Sequence, residues 1–425
     1  MQVTKYVKSG QWSTLFGYFL FVSFLAAGYY YNLTFVQLGL IDLGTRIVGL
    51  TRFEVSIGMG GLALVAFLTA IGAGTALDRY GWSRDFDVKL RLLWGVVVLQ
   101  LLLTFVAPRL RTGTAFGAWV VLCAVSLGVG MPTTFSLAVD LVPVEDRGGV
   151  AAAATAGAYF VANVYPIRWQ VESFSLIMSA AMVPAVVVLG MLAFRDFEFV
   201  APLKRQHRDP AFSVGRFCRP TATRTWSYEF WSFVLLMFGV YFIDSLGFLR
   251  LIETPAYIYT AWQSPDFGIH LLIGGVHVLT AVMAGVLYSN FGRRWLFLLV
   301  FGLFGFTHLM YVFDIRAGIG DAPLLMPLFY SGAVSFYTVL NFALWPDVST
   351  PDTIGRHSAI GVGFAGFLAT FLSTAVVLYM ESATVPLVSH INVVDALALL
   401  FFFLLLVTVY AQRMFVLARE RRSET

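Results

Sequence analysis

The chain has 425 residues, of which 59% are hydrophobic and 12% charged, with a formal net charge of +4 and a mean hydropathy of +0.79. A soluble domain carries about 25% charged residues, so a soluble globular protein is excluded. The small basic excess points to no nucleic-acid partner, because no soluble basic domain is there to bind one.

Apolar stretches close to the roughly 20 residues of a bilayer crossing follow one another along the whole chain. They run Leu15–Leu40, Phe53–Leu77, Leu92–Val106, Ala115–Leu141, Val150–Pro166, Phe174–Phe194, Phe230–Leu251, Gly268–Asn290, Trp295–Phe313, Leu324–Trp345, Ile354–Tyr379 and Val393–Val416. The first is too long for a signal-peptide core and no small-residue cleavage site follows it, so no cleavable leader is expected. Residues 195–225, with Pro202, Pro210, Pro220 and seven basic residues, read as a cytoplasmic basic linker whose charges can touch anionic lipid headgroups. That linker divides the chain into 1–194 and 226–425.

Lys and Arg set the orientation. With the N-terminus in the cytoplasm, 21 of the 28 fall in cytoplasmic segments. This bias predicts a multi-pass protein of the cell (inner or plasma) membrane with both termini cytoplasmic. Cys123 lies within a span and Cys218 in the linker, so no disulfide is expected.

Two loops are related. Gly74-Thr75-Ala76-Leu77-Asp78-Arg79-Tyr80-Gly81-Trp82-Ser83-Arg84 recurs in degraded form 211 positions later as Gly285-Val286-Leu287-Tyr288-Ser289-Asn290-Phe291-Gly292-Arg293-Arg294-Trp295. A second pair follows spans four and ten. Asp140, Pro143, Glu145, Asp146 and Arg147 in one half correspond to Asp347, Pro351, Asp352 and Arg356 in the other, and each set enters a small-residue helix. Repeated basic loops in two halves of a hydrophobic chain mark a duplicated membrane protein. The first loop resembles the signature of the major facilitator superfamily, roughly G-x-L-A-D-R-x-G-R-R/K. It keeps both glycines, the Asp-Arg pair and Arg84, but has Trp82 and Ser83 where basic residues usually stand. The second copy has Ser289 in place of the acid.

The resemblance implies an all-α integral membrane fold, with twelve transmembrane helices in two pseudo-symmetric six-helix bundles, 1–194 and 226–425. It also implies a cavity lined by spans one, four, seven and ten, and a cytoplasmic gate. The gate candidates are Gly74, Asp78, Arg79, Gly81, Arg84, Asp140, Arg147, Gly285, Gly292, Arg293, Asp347 and Arg356. Small residues at Gly72 and Gly74, Ala151–Ala158, and Ser358, Gly361, Gly363 and Gly366 suit close helix contacts between the halves, whether static or breakable.

An ionisable side chain inside a bilayer asks for a role. Asp244 lies two-thirds along span seven with Tyr241 one turn before it, and can serve as a proton carrier or pair with Arg250 at the outer boundary. At the corresponding depth of span one stand Tyr29, Tyr30, Tyr31 and Asn32, of which Tyr30, Tyr31 and Asn32 are taken as cavity candidates. Gln37, Thr133, Thr134, Tyr159, Asn163, Tyr330, Tyr337 and Asn341 complete the candidate cavity set. His270 and His277 share a helix face, and His277 can partner Asp244 in proton coupling, bind a metal or simply pack. The two rings are about 10 Å apart along the axis, too far for one ion, so no metal is expected. Glu54, Glu172, Asp314, Glu381, His390 and Asp395 fall near the outer boundary, within reach of water. Trp169, Trp262 and Trp345 read as interfacial anchors.

No P-loop, CxxC or HExxH pattern occurs, so neither an enzyme nor a cofactor is expected. The expected function is a monomeric secondary transporter working by alternating access, with protons as coupling partner and membrane lipids as surroundings. Its solute would be small, organic and neutral, amphipathic or weakly charged, because no cavity span carries a central cation for a dianion. The alternatives are a lipid or drug exporter, or a non-transporting protein of the same fold acting as a receptor, assembly or pigment-delivery factor.

Overall fold

A computed structural model of the chain describes residues 3–166, 169–195, 197–198, 200–202, 217, 223–251, 254, 257, 264–318 and 323–423. Cys218 and Trp262 lie outside the described residues. After a short helix Val3–Lys8, twelve long helices carry the fold. They are α1 (Trp12–Val48), α2 (Arg52–Arg79), α3 (Phe86–Val106), α4 (Gly113–Leu141), α5 (Arg147–Val164), α6 (Val171–Phe194), α7 (Tyr228–Leu251), α8 (Phe267–Asn290), α9 (Arg293–Ala317), α10 (Leu325–Asp347), α11 (Ile354–Ser382) and α12 (Leu387–Ser423). Eleven are long and apolar enough to cross a membrane, and the chain is a multi-pass membrane protein. The twelfth is α5, 18 residues rich in Ala and Gly. It packs between α1 and α8, so small side chains serve it better than lipid-facing ones.

Within the first bundle α2 packs on α4, α3 on α4 and α6, and α1 on α5. Within the second α9 packs on α10 and α12, α8 on α10, and α7 on α11. The halves meet along two crossings, α2 with α11 and α5 with α8. Both crossings are tightest on the face that carries the α2–α3 and α8–α9 loops, here the gate face. A Cβ at Gly74 would stand 2.3 Å from both the Gly355 carbonyl oxygen and the Ala359 Cβ. A Cβ at Gly285 would stand 2.7 Å from Ala152 and 2.8 Å from the Gly148 carbonyl. The first glycine of each repeated loop thus lies against a glycine at the start of a helix in the opposite half. Only hydrogen fits at these points, which is why the small residues recur.

Two sequence expectations need correction. Trp345 is not an interfacial anchor but fully buried, with its indole N–H donating to the Asn341 Oδ1 at 2.7 Å. A Cβ at Gly361 would come within 2.2 Å of that ring, so α11 closes over it. Asp314, His390 and Asp395 are buried rather than wetted. Asp314 accepts a hydrogen bond from the Tyr257 hydroxyl at 2.9 Å, and His390 Nε2 bonds the Leu246 carbonyl at 2.8 Å. Gly292 has an ordinary extended φ of −66°, unlike its counterpart Gly81, whose φ of +70° needs a glycine.

The contact at Gly74 yields a matched test. Nothing lies within 4 Å of a Cβ at Gly72, two residues away. Gly72→Ala is expected to leave the melting temperature unchanged, whereas Gly74→Ala lowers it and exposes the α2–α11 crossing to thiol labelling from a nearby cysteine. Equal behaviour of the two variants would remove the crossing from the account.

Candidate functional site

Two polar assemblies occupy the interface between the halves. The first seals the gate face. Asp78, at the end of α2, accepts main-chain N–H groups from Gly355 at 2.9 Å and Arg356 at 2.8 Å, the first turn of α11. A carboxylate at a helix amino end meets unsatisfied donors and a favourable dipole. Arg79 and the Arg356 side chain are exposed, so Arg356 gives Asp78 a main-chain N–H and the attraction of its charge rather than a side-chain hydrogen bond. Arg84 reaches across to Asp352 in an exposed ion pair, whose carboxylate raises the Arg84 pKa.

The second crossing is held differently. Ser289 stands where Asp78 stands in the first loop and bonds back to the Gly285 carbonyl at 2.9 Å. Charge enters through Asp347 at the end of α10. It accepts from Arg147 of the other half at 3.0 Å, from Arg293 at 3.1 Å and from the Tyr288 hydroxyl at 2.8 Å. Arg147 also donates to the Phe217 carbonyl. The Arg147 and Asp347 side chains are 2% and 3% exposed, so removing one partner of that pair costs about 3–5 kcal/mol. Asp140, expected in this gate, instead pairs inside the first bundle with Lys89 of α3, both fully buried. Lys89 also donates to the Ser83 carbonyl at 2.8 Å, so it fixes the loop that presents Asp78. Sequence reading counted Lys89 only as a topology marker. Its one available signal is its place opposite the acid that ends span four.

The second assembly lines a cavity of about 160 Å³ beyond the seal, toward the opposite face. Asp244 of α7 is at its centre, about 24 Å along the helix from Tyr228. The hydroxyls of Tyr330 and Tyr337 on α10 both donate to its carboxylate, the latter at 2.7 Å. Tyr241 meets Tyr337 edge to face with ring centres 5.1 Å apart. From the first half come Tyr29 of α1 and Tyr159 of α5, whose hydroxyls are 3.0 Å apart. Two stretches of widened, π-helical backbone, Asn32–Leu38 in α1 and Ile360–Leu368 in α11, supply further lining residues. Such widened turns are frequent at functional sites, and no sequence signal announced them.

Of the expected cavity residues, Asn32, Tyr159, Tyr241, Asp244, Tyr330 and Tyr337 line this space. Tyr30 and Tyr31 do not. Tyr30 donates to the Tyr165 carbonyl at 3.1 Å, and Tyr31 bonds Thr104 at 3.0 Å inside the first bundle. Residues three apart share a helix face, so Tyr29 and Asn32 look inward while the two between them look away. Thr133 bonds its own helix at the Val129 carbonyl, and Met131 takes the cavity position. Asn163 donates to the Tyr159 carbonyl at 2.8 Å near the α5–α8 crossing, and Asn341 holds Trp345. The Gln37 side chain lies outside the described residues.

His277 does not pair with Asp244. Its Nδ1 bonds the Ser335 hydroxyl at 2.8 Å and its ring stacks on Tyr159 at 4.4 Å. His270 bonds the Ser264 carbonyl at 2.8 Å, and no group of three metal-ligating side chains exists among the described residues.

No protein-family model and no curated protein matches the sequence. Solved structures do match the fold. The proton:xylose symporter XylE bound to 6-bromo-6-deoxy-D-glucose aligns with a TM-score of 0.64 at 15% identity, over 92% of this chain and 95% of that one. XylE from E. coli in a partially occluded inward-open conformation gives 0.62 at 14% identity, over 92% and 97%. The human organic anion transporter MFSD10 (TETRAN) gives 0.60 at 15% identity, over 92% and 98%. The chain therefore has the fold of major facilitator superfamily transporters, two bundles of six helices.

The two charged contacts of Asp78 and Arg84 differ in weight. An exposed ion pair contributes about 0–1 kcal/mol, while a hydrogen bond to a charged group contributes about 1.5–3 kcal/mol. Asp78→Ala is expected to raise thiol labelling of a cysteine placed at the gate-face end of α11, with Asp352→Asn near the parent level. Equal labelling in both variants would show that Asp78 does not hold the seal.

Proposed function

We propose that the protein is a secondary transporter of a small organic solute, working by alternating access and coupled to protons through Asp244. The observation that carries this reading is a cavity at the interface of two bundles, sealed on one face by contacts made between the bundles. Those contacts suit repeated opening. On the gate face they include glycine on glycine, a carboxylate on free helix amides, and one buried ion pair. The Lys and Arg bias supports placing the gate face in the cytoplasm of the cell or inner membrane. The cavity then opens toward the outside in the conformation described.

Asp244 is the group suited to carry the proton. An acid within a membrane span is costly to keep charged and is a functional candidate by default. His277 is not assigned to coupling, because its contacts are with Ser335 and Tyr159. The working solute is small and neutral, amphipathic or weakly charged, since no lysine or arginine is among the described residues that line the cavity.

Reconstitution tests the reading. Proteoliposomes under an imposed pH gradient are expected to accumulate a solute found by thermal-shift screening against a metabolite library. Asp244→Asn is expected to abolish accumulation driven by the pH gradient. Full accumulation by Asp244→Asn would refute the carrier role, and failure of every stabilising ligand to cross the membrane would refute transport.

A further inference from the structure

The charge and size of the cavity narrow the cargo further, and this step rests on the transporter reading above. Asp244 is the sole charged side chain among the described lining residues, which include no lysine, arginine or histidine. Tyr330 and Tyr337 donate to its carboxylate, but a hydrogen bond does not cancel the charge. A carboxylate without a counter-charge in apolar surroundings is strongly destabilising, so the site calls for one positive charge.

The walls suit a particular kind of cation. Tyr29 with Tyr159 and Tyr241 with Tyr337 form two edge-to-face pairs, at 5.6 Å and 5.1 Å between ring centres, one from each half. Aromatic faces attract alkylated ammonium groups, which shed water more readily than small inorganic ions. A polyol fits poorly. The hydroxyls of Tyr330 and Tyr337 already bond Asp244, those of Tyr29 and Tyr159 bond each other, Thr374 bonds its own helix at the Thr370 carbonyl, and Ser245 bonds the Thr370 hydroxyl, so few hydroxyls are left to a polyol. An anion would meet Asp244 with no compensating base. The volume of about 160 Å³ is below the roughly 300 Å³ at which drug-sized pockets begin.

We infer that the cavity binds a small organic monocation, an alkylated ammonium of about choline's size, in competition with a proton on Asp244. The carboxylate holds one positive charge at a time. Exchange of one proton for one monocation then moves no net charge across the membrane. A pH gradient drives it and a membrane potential alone does not.

Choline and 3,3-dimethylbutan-1-ol test this, because they share a shape and differ in charge. The full-length protein is expected to bind choline at least about tenfold more tightly than the uncharged alcohol, and to lose that preference as the pH is lowered. Asp244→Asn is expected to lose the preference at an unchanged melting temperature, and Asp244→Glu to retain it. Proteoliposomes are expected to take up choline under a pH gradient and not under a potassium diffusion potential alone. Equal binding of the two probes, or choline binding that survives Asp244→Asn, would overturn the inference. Accumulation of an uncharged solute through Asp244, with no choline uptake, would overturn the cation class and leave the transporter reading intact. No uptake of choline or of any solute in the library would overturn both.

Discussion

The structure depends on two places where backbone meets backbone without a side chain between. At Gly74 against Gly355 and at Gly285 against Gly148, the helices of opposite halves come so close that a methyl group would collide with a carbonyl. In lipid, helices gain nothing from hiding apolar surface, since the surroundings are apolar too. Close packing and polar contacts must supply the attraction. These crossings bring Asp78 to the amides of α11 and Arg147 to Asp347, and they separate the cavity from the gate face.

The two crossings are alike in shape and unlike in chemistry. The α2–α11 crossing carries its charge in the repeated loop itself, through Asp78. The α5–α8 crossing has Ser289 at that position, and its charge sits on Asp347, shared by both halves. The close backbone contact is repeated in the two crossings, and the acid of the first loop is not. An Asp78-type contact breaks when one helix end moves away. Asp347 holds donors from both halves, so opening leaves it with Arg293 and Tyr288 rather than alone. The second crossing can thus open without leaving Asp347 unpaired, while Arg147 gives up that carboxylate and keeps the Phe217 carbonyl.

Much of this was legible in the residues. The spans were readable because a bilayer demands about twenty apolar residues, and the repeated loops gave the duplication. Gly74 and Asp78 were found because a glycine and an acid keep their meaning in a degraded motif. Other features were hidden for physical reasons. The phase of α1 cannot be read where four polar-capable residues run consecutively, so Tyr30 and Tyr31 were taken for cavity residues when Tyr29 and Asn32 face it. Asp244 was visible, but its partners come from α10, some ninety positions away, and of the readings open for His277 the contact with Ser335 is the plain packing one. Trp345 lies at a span end, where tryptophans usually anchor at the interface, and only Gly361 on the next helix reveals that the ring is covered.

The account's central claim is that the two halves rock about the cavity, so that one face closes as the other opens. Distance measurement between spin labels tests this most directly, using both ends of one crossing. Labels at Tyr80 and Arg356 report the gate face, and labels at Ile57 and Tyr379 report the opposite face, all at exposed positions on or just beyond α2 and α11. The account predicts two distances for each pair, with ligand and pH shifting their populations in opposite directions at the two faces. A single unchanging distance at both faces under all conditions, or both pairs lengthening together, would contradict it.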